Sequence, residues 1–309
     1  MLAEYALIPD VFAQSSYASP ESCDRHLRNL KDGLISRGLV RNLHSGGWWN
    51  YVQKHSDRWD KRGRELLKKL KQQGRLCDIL PCTDELPENA AAWCAEALAS
   101  HAQVPLGGIV ADETTAANHS DDDAVAPVTN LTEQTWWLGG KNSIELKRTT
   151  DAYLQALGPT LRHSNLIMLI DPHLDPTSRN YSGVVDLLRE CGPRKPNPVI
   201  QIHRVCGIGS GRERQFPLLP EWKQRFDSVL GETVRRNGLN VEVFLWDDFH
   251  DRYLVSNLIG ILMPNGFDTD SSTTRWARLD REHRDSVEME FDPPSSPHKL
   301  EGRRFKIGT

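Results

Sequence analysis

The chain has 309 residues, with 38 Lys+Arg against 42 Asp+Glu for a formal net charge of −4, and 38% of its residues are hydrophobic. That size and balance predict two ordinary domains or one large one, and exclude a fibrous or wholly disordered chain. No apolar run approaches the roughly 20 residues of a membrane helix; the longest are Leu166 to Ile170 and Leu258 to Met263.

Met1 to Asp10 lacks the basic and apolar stretches of a secretory signal, so a cytoplasmic location is expected. Six cysteines are too dilute for a disulfide framework and read as thiols. Cys77, Cys82 and Cys94, with His101, match no compact zinc spacing, and no metal is expected there.

The near-neutral total hides a segregation of charge. Arg25 to Arg75 holds 14 Lys+Arg and 4 Asp+Glu, a net of +10, whereas Asp78 to Glu133 holds 11 Asp+Glu and no Lys or Arg. The first block predicts a surface facing a polyanion, and the second a protein partner or a self-shielding segment. The two blocks packing on each other as one domain is the plainer alternative.

In chain order, Tyr5 to Ile8 is strand-like and ends in Pro9-Asp10. Ser22 to Ile35 carries Leu27, Leu30 and Leu34 at helical spacing, and Arg64 to Gln73 pairs an apolar stripe (Leu66, Leu67, Leu70) with a cationic flank (Lys68, Lys69, Lys71). Trp48-Trp49 between them reads as core, with base stacking as the functional alternative. Leu86 to Ser100 is a third helix, and Asn118 to Thr129, with Asp121-Asp122-Asp123, is a mobile acidic tip. Asp112-Glu113 with that tip reads as an acidic loop rather than a two-metal centre. The expected whole is a helix-rich domain over 1–140, closed by a hinge at Trp136-Trp137 and Gly139-Gly140.

Beyond residue 140 helical and strand-like runs alternate, the pattern of an α/β layer structure over 141–292. Helices are expected around Tyr153 to Leu161, Tyr181 to Cys191 and Trp222 to Thr233, the last closed by Asn237-Gly238. Strands are expected at Leu166 to Ile170, Val199 to Val205, Val241 to Trp246, Tyr253 to Val255, Leu258 to Met263, and Val287-Met289-Phe291. Residues 293–309, ending in Arg303, Arg304 and Lys306, read as a mobile basic tail.

Chemistry concentrates in Trp246 to Asn257. A strand carrying His250 and Arg252 two residues apart would present both side chains on one face. An imidazole beside a guanidinium fork suits phosphate: Arg252 binds nonbridging oxygens and His250 attacks or moves a proton, with Asp247 or Asp248 orienting the ring. Gly207 to Arg212 is glycine-rich but lacks a phosphate-loop ending, so it reads as a flexible loop from which Arg212 and Arg214 guide a polyanion. His203 reads as a satisfied core residue.

The order strand, helix, strand, helix, strand and then His-x-Arg resembles half of the phospholipase D superfamily fold, over roughly residues 145–292. His250 holds the family's His, Arg252 its Lys and Asn257 the place of its Asp, while Asn265, Gly266, Phe267 and Asp268 with Ser271 and Ser272 stand for its Gly/Ser-rich turn. Arg for Lys and Asn for Asp depart from the family pattern. The resemblance implies a phospholipase D-like mixed sheet with flanking helices, needing neither cofactor nor metal. It implies a phosphodiesterase working through a phosphohistidine, with His250, Arg252, Asn257 and Asp248 catalytic and Asn265, Ser271, Ser272, Arg212 and Arg214 binding substrate. A single motif implies a homodimer with a shared site. A nuclease is favoured over a lipase because no amphipathic membrane helix is present, and defence against foreign DNA lies within the family's range. The competing expectation is a catalytically silent module that binds nucleic acid or assembles a larger complex.

Overall fold

A computed structural model describes residues 1–138, 142–194, 196–209, 211–300 and 304–308. The chain divides into two compact units, Leu2–Lys141 and Asn142–Thr309. The expected hinge glycines, Gly139 and Gly140, lie outside the described residues, as does Arg303.

The first unit runs β1 (Ala3–Leu7), α1 (Pro20–Arg37), β2 (Gly38–Asn42), α2 (Gly47–Lys54), α3 (Lys61–Gln72), β3 (Leu76–Asp78), α4 (Ala90–Gln103), β4 (Gly108–Ala111), α5 (Glu113–Ala117), β5 (Val125–Pro127) and α6 (Thr135–Leu138). Its five strands form one parallel sheet in the order β3-β2-β1-β4-β5. The expected helices are present, and the sheet is what the helix-rich reading left out. The strands are only three to five residues long, too short for a continuous apolar run, and β2 carries a charge inside. That charge is Arg41, 1% exposed, whose Nε donates to Glu4 Oε2 on β1 at 2.8 Å. A buried pair of this kind reads in sequence as surface, although Arg41 contributes nothing to an outward basic face. β5 also lies inside the segment expected to be a mobile acidic tip.

The basic and acidic blocks are neighbouring parts of this one sheet unit. Lys61, Arg62, Arg64, Lys68, Lys69 and Lys71 remain exposed along α3, while Leu66, Leu67 and Leu70 bury its other face. Trp48 is fully buried and donates from Nε1 to Leu7 O at 2.6 Å, which makes it core. Trp137 packs edge-on against Tyr5, ring centroids 5.2 Å apart, over Gly33, where a Cβ would lie 2.3 Å from the indole. Both tryptophans expected at the hinge thus belong to the first unit's packing. Trp137→Ala is expected to lower the stability of this unit by about 3–5 kcal/mol, read as an earlier urea transition; a loss under about 1 kcal/mol would show that the ring is not part of the core.

The second unit runs β6 (Ser143–Lys147), α7 (Thr150–His163), β7 (Leu166–Ile170), α8 (Val184–Cys191), β8 (Val199–Val205), α9 (Leu219–Arg236), β9 (Asn240–Trp246), β10 (Tyr253–Ser256), β11 (Gly260–Leu262), β12 (Thr273–Arg278), α10 (Arg281–Glu290) and β13 (Arg304–Lys306). The sheet order is β13-β9-β8-β7-β10-β11-β12-β6. β7, β8 and β9 are parallel, and every other pairing is antiparallel. The expected α/β alternation is present. Gly238 closes the turn after α9 with φ +61°, the left-handed geometry that Asn-Gly supplies.

Two expectations fail here. Val287, Met289 and Phe291 do not alternate along a strand: α10 takes Val287, Phe291 follows it directly, and Met289 stays 64% exposed while the other two are buried. Positions four apart share a helix face as well as a strand face, so period two could not separate the alternatives. The tail is also structured, since Arg304–Lys306 adds an edge strand to β9 and buries Phe305 against Phe226, centroids 5.7 Å apart.

Candidate functional site

Parallel strands β7, β8 and β9 deliver three loops to one edge of the second unit's sheet, and β10 starts from that same edge. Tyr253 pairs with Ile170 at the end of β7 and with Leu262 at the end of β11, so Asp171, Arg252 and Met263 become neighbours. Met263 N donates to Arg252 O at 2.9 Å.

Asp171 is the centre of this edge. Its carboxylate is fully buried and accepts from His173 N at 2.9 Å, from Phe267 N at 3.0 Å and from the Tyr181 hydroxyl at 3.3 Å. Arg252 Nε lies 3.8 Å away. Burial pushes the Asp171 carboxyl up, opposed by the two N–H donors and by Arg252. Burial and the Asp171 charge push the Tyr181 phenol up as well. Arg252 also donates from Nη1 to His250 O at 3.3 Å and Pro264 O at 3.4 Å, so its fork is aimed by the backbone of two loops.

His250 and Arg252 lie in the loop between β9 and β10, not on a strand as expected. Phe249 is the anchor of that loop, buried edge-on against Phe291 with centroids 5.0 Å apart. The residues on either side therefore face outward, and His250 is 89% exposed with Nε2 3.9 Å from Asp248 Oδ2. Arg214 reaches the same loop, its Nη2 3.4 Å from Asp247 O and 4.0 Å from Asp248 Oδ1. Arg212 is exposed on the preceding turn, and Ser210 lies outside the described residues.

Asn257 does not join them. Its Oδ1 accepts from Asn165 N at 2.8 Å and Leu166 N at 3.2 Å, tying down the start of β7. The length of β10 separates it from Arg252, about 16 Å at ~3.3 Å per residue. Nor is Ser272 free for a ligand: it donates to Asp270 Oδ1 at 2.6 Å, within a clasp in which Arg148 pairs with both Asp268 and Asp270. Asn265 Oδ1 accepts from Thr274 Oγ1 at 2.8 Å. Asn265 and Ser271 are exposed.

Sequence reading missed His173. It follows β7 through Asp171-Pro172, and desolvation, then the charges of Arg252, Arg204 and His250, push its imidazole below the usual histidine range. An imidazole held neutral beside cations is the form able to attack phosphorus or accept a proton. The signal was the Asp-Pro-His run directly after a buried strand. Arg204, also missed, is structural: it is 1% exposed, donates to the carbonyls of Leu174, Val205 and Gly207, and stacks 3.7 Å from the Trp222 ring centroid. It ties the loops after β7 and β8 together.

These features define a mixed α/β protein of two units, one on a parallel sheet and one on a mixed sheet. No helix among the described residues is long and apolar enough to cross a membrane. No family model and no curated protein matches the chain. Among solved structures it is similar to TrmBL2, an archaeal chromatin protein with a described mode of DNA binding, at 13% identity over 87% of this chain and 95% of that one, with a TM-score of 0.27. It is also similar to polyphosphate kinase from Porphyromonas gingivalis, at 11% identity over 52% of this chain and 24% of that one, with a TM-score of 0.28. At such scores neither likeness carries an argument about function.

Proposed function

We propose that the second unit is a phospholipase D-like phosphodiesterase domain whose ligand is nucleic acid. The observation that supports this reading best is the pair of imidazoles, His173 and His250, set around Arg252 at the carboxyl ends of β7–β9. In this reading Arg252 holds the nonbridging oxygens. His173, kept neutral, attacks phosphorus while His250 protonates the leaving oxygen, so that one P–O bond breaks as a P–N bond forms. Water then attacks the phosphorus of the phosphohistidine, giving its proton to His250 as a P–O bond forms, the P–N bond breaks and His173 is released. Because both imidazoles belong to one chain, the homodimer expected from a single motif is not needed to complete the site. Arg212 and Arg214 supply cations for a phosphate backbone at this edge, and the first unit carries exposed lysines and arginines of its own along α3.

A binding-only module is the second reading, favoured by Asn257 being held at the far edge of the sheet and by Arg252 already being engaged by Asp171 and two carbonyls. Cleavage of single- and double-stranded DNA and RNA in EDTA separates the two. The enzyme reading expects metal-independent cutting that falls at least about 100-fold in both His250→Ala and His173→Ala. Binding without cutting in wild type and variants alike would replace it with the module.

A further inference from the structure

The order β3-β2-β1-β4-β5 places a topological switch in the first unit, because the connection leaving β1 goes to one side and that leaving β4 to the other. In open parallel sheets the crevice outside the carboxyl ends of strands at such a point is where ligands bind. Two carboxylates stand there. Asp10 follows β1 in the short 3₁₀ turn Pro9–Phe12, and Asp112 follows β4 directly. Ile8 N donates to Val110 O at 2.9 Å, which ties the two strand ends together. One cleft is lined by Asp10, Ser15, Ser16, Tyr17, Asp112 and Thr114. The acidic-loop reading of Asp112 is thereby corrected, since this residue is a strand-end group and not part of the acidic tip.

Asp112 is only 8% exposed, and its two oxygens are treated differently. Oδ1 caps α5, accepting from Thr115 N at 3.1 Å. Oδ2 is buried and has no hydrogen-bond partner among the described residues. Leaving a charged acceptor buried and unpaired is costly, so such a group in a cleft points to something that binds it. Asp10 lines the same cleft, so a second carboxylate stands beside this one. Arg58 Nη2 answers part of this from 3.2 Å, at Asp10 Oδ1.

We propose that Asp10 and Asp112 hold one divalent cation of the Mg²⁺ or Mn²⁺ type at this switch point, with Asp112 Oδ2 as a direct ligand. The donor set decides the metal class, because it is all oxygen, with no thiolate or imidazole among the described residues that line the cleft. Magnesium-type ions are commonly held by one or two carboxylates, keeping water or a phosphate oxygen in the other positions. The hydroxyls of Ser15, Ser16 and Thr114 line the same cleft and suit such an outer layer. Arg58, paired with Asp10 Oδ1, puts positive charge beside the acids, where an anionic group arriving with the metal would meet it.

The test is direct metal binding by the full chain, freed of metal by EDTA and desalted, with free Mn²⁺ followed by electron paramagnetic resonance. One saturable Mn²⁺ per chain, displaced by Mg²⁺, is expected. Asp112→Asn and Asp10→Asn should each weaken it at least about tenfold, whereas Asp121→Asn on the acidic tip should leave it unchanged. Asparagine keeps the Oδ1 acceptor that caps α5, and circular dichroism checks that each variant folds; if Asp112→Asn does not, Asp10→Asn decides. Absence of a saturable site in wild type, or unchanged affinity in a folded Asp10→Asn or Asp112→Asn protein, overturns the proposal.

Discussion

Gly266→Val is expected to disable the His173–His250–Arg252 edge and to destabilise the second unit by about 3–5 kcal/mol, in the range for breaking a buried charged contact. Gly266 has φ +65°, a conformation that costs a residue with a Cβ roughly 1–2 kcal/mol. The steric term is larger, because a Cβ there would lie 1.9 Å from Asp171 Oδ2 and 3.0 Å from Arg252 Cδ. Asp171 has no open space in which to retreat, being fully buried and held by Phe267 N, His173 N and Tyr181. Displacing it leaves a carboxylate without its donors and removes the group that faces Arg252. Urea unfolding would register the change, as would binding of the nucleic acid proposed above as ligand. If Gly266→Val unfolded within about 1 kcal/mol of wild type, Asp171 would not be the organiser of this edge.

This cluster shows what sequence could and could not reveal. Leu166 to Ile170, Val199 to Val205 and Val241 to Trp246 are apolar runs bounded by turn residues, so the parallel strands that carry the site were legible. His250 and Arg252 were legible as a polar pair after one of them. Their setting was not: Phe249 decides which residues of the loop face outward, and its burial depends on Phe291, a helix-end residue over forty positions away that period two assigned to a strand. Asn257 was placed by counting along the chain, but β10 intervenes and carries it to the opposite edge. His173 and Asp171 were visible only as the end of a strand, since sequence gives no measure of burial or of cations arriving from other loops. In the first unit a similar blindness hid a whole sheet, because short strands and the internal Arg41–Glu4 pair lack the apolar signature of parallel structure.

Acid is expected to weaken the second unit through His203, and the effect separates cleanly from that of the carboxylates. His203 is fully buried, its ring stacked on Phe244 with centroids 4.8 Å apart. Trp246 Nε1 donates to its Nδ1 at 3.1 Å, so the ring proton belongs on Nε2, which lies 3.2 Å from Gln201 Oε1. Protonating Nδ1 would set two donors against each other in the core, and burial accordingly pushes the imidazole down to about 3. The unfolded chain, with an ordinary histidine near 6.5, binds that proton more readily than the folded one. Stability from this group is therefore complete above about pH 6.5 and is lost as pH falls towards 3, by about 3 kcal/mol at pH 4.5. The Asp171 carboxyl, raised in the folded state, works in the opposite sense over the acid range, so wild type alone does not isolate the histidine. His203→Phe does. At pH 7 the variant should be less stable by about 1–3 kcal/mol, because Trp246 loses its acceptor. Towards pH 4.5 that gap should close or reverse, since phenylalanine has no proton to take up. A gap constant to within about 0.5 kcal/mol between pH 7 and 4.5, measured by denaturant unfolding at each pH, would show that His203 does not carry the acid sensitivity.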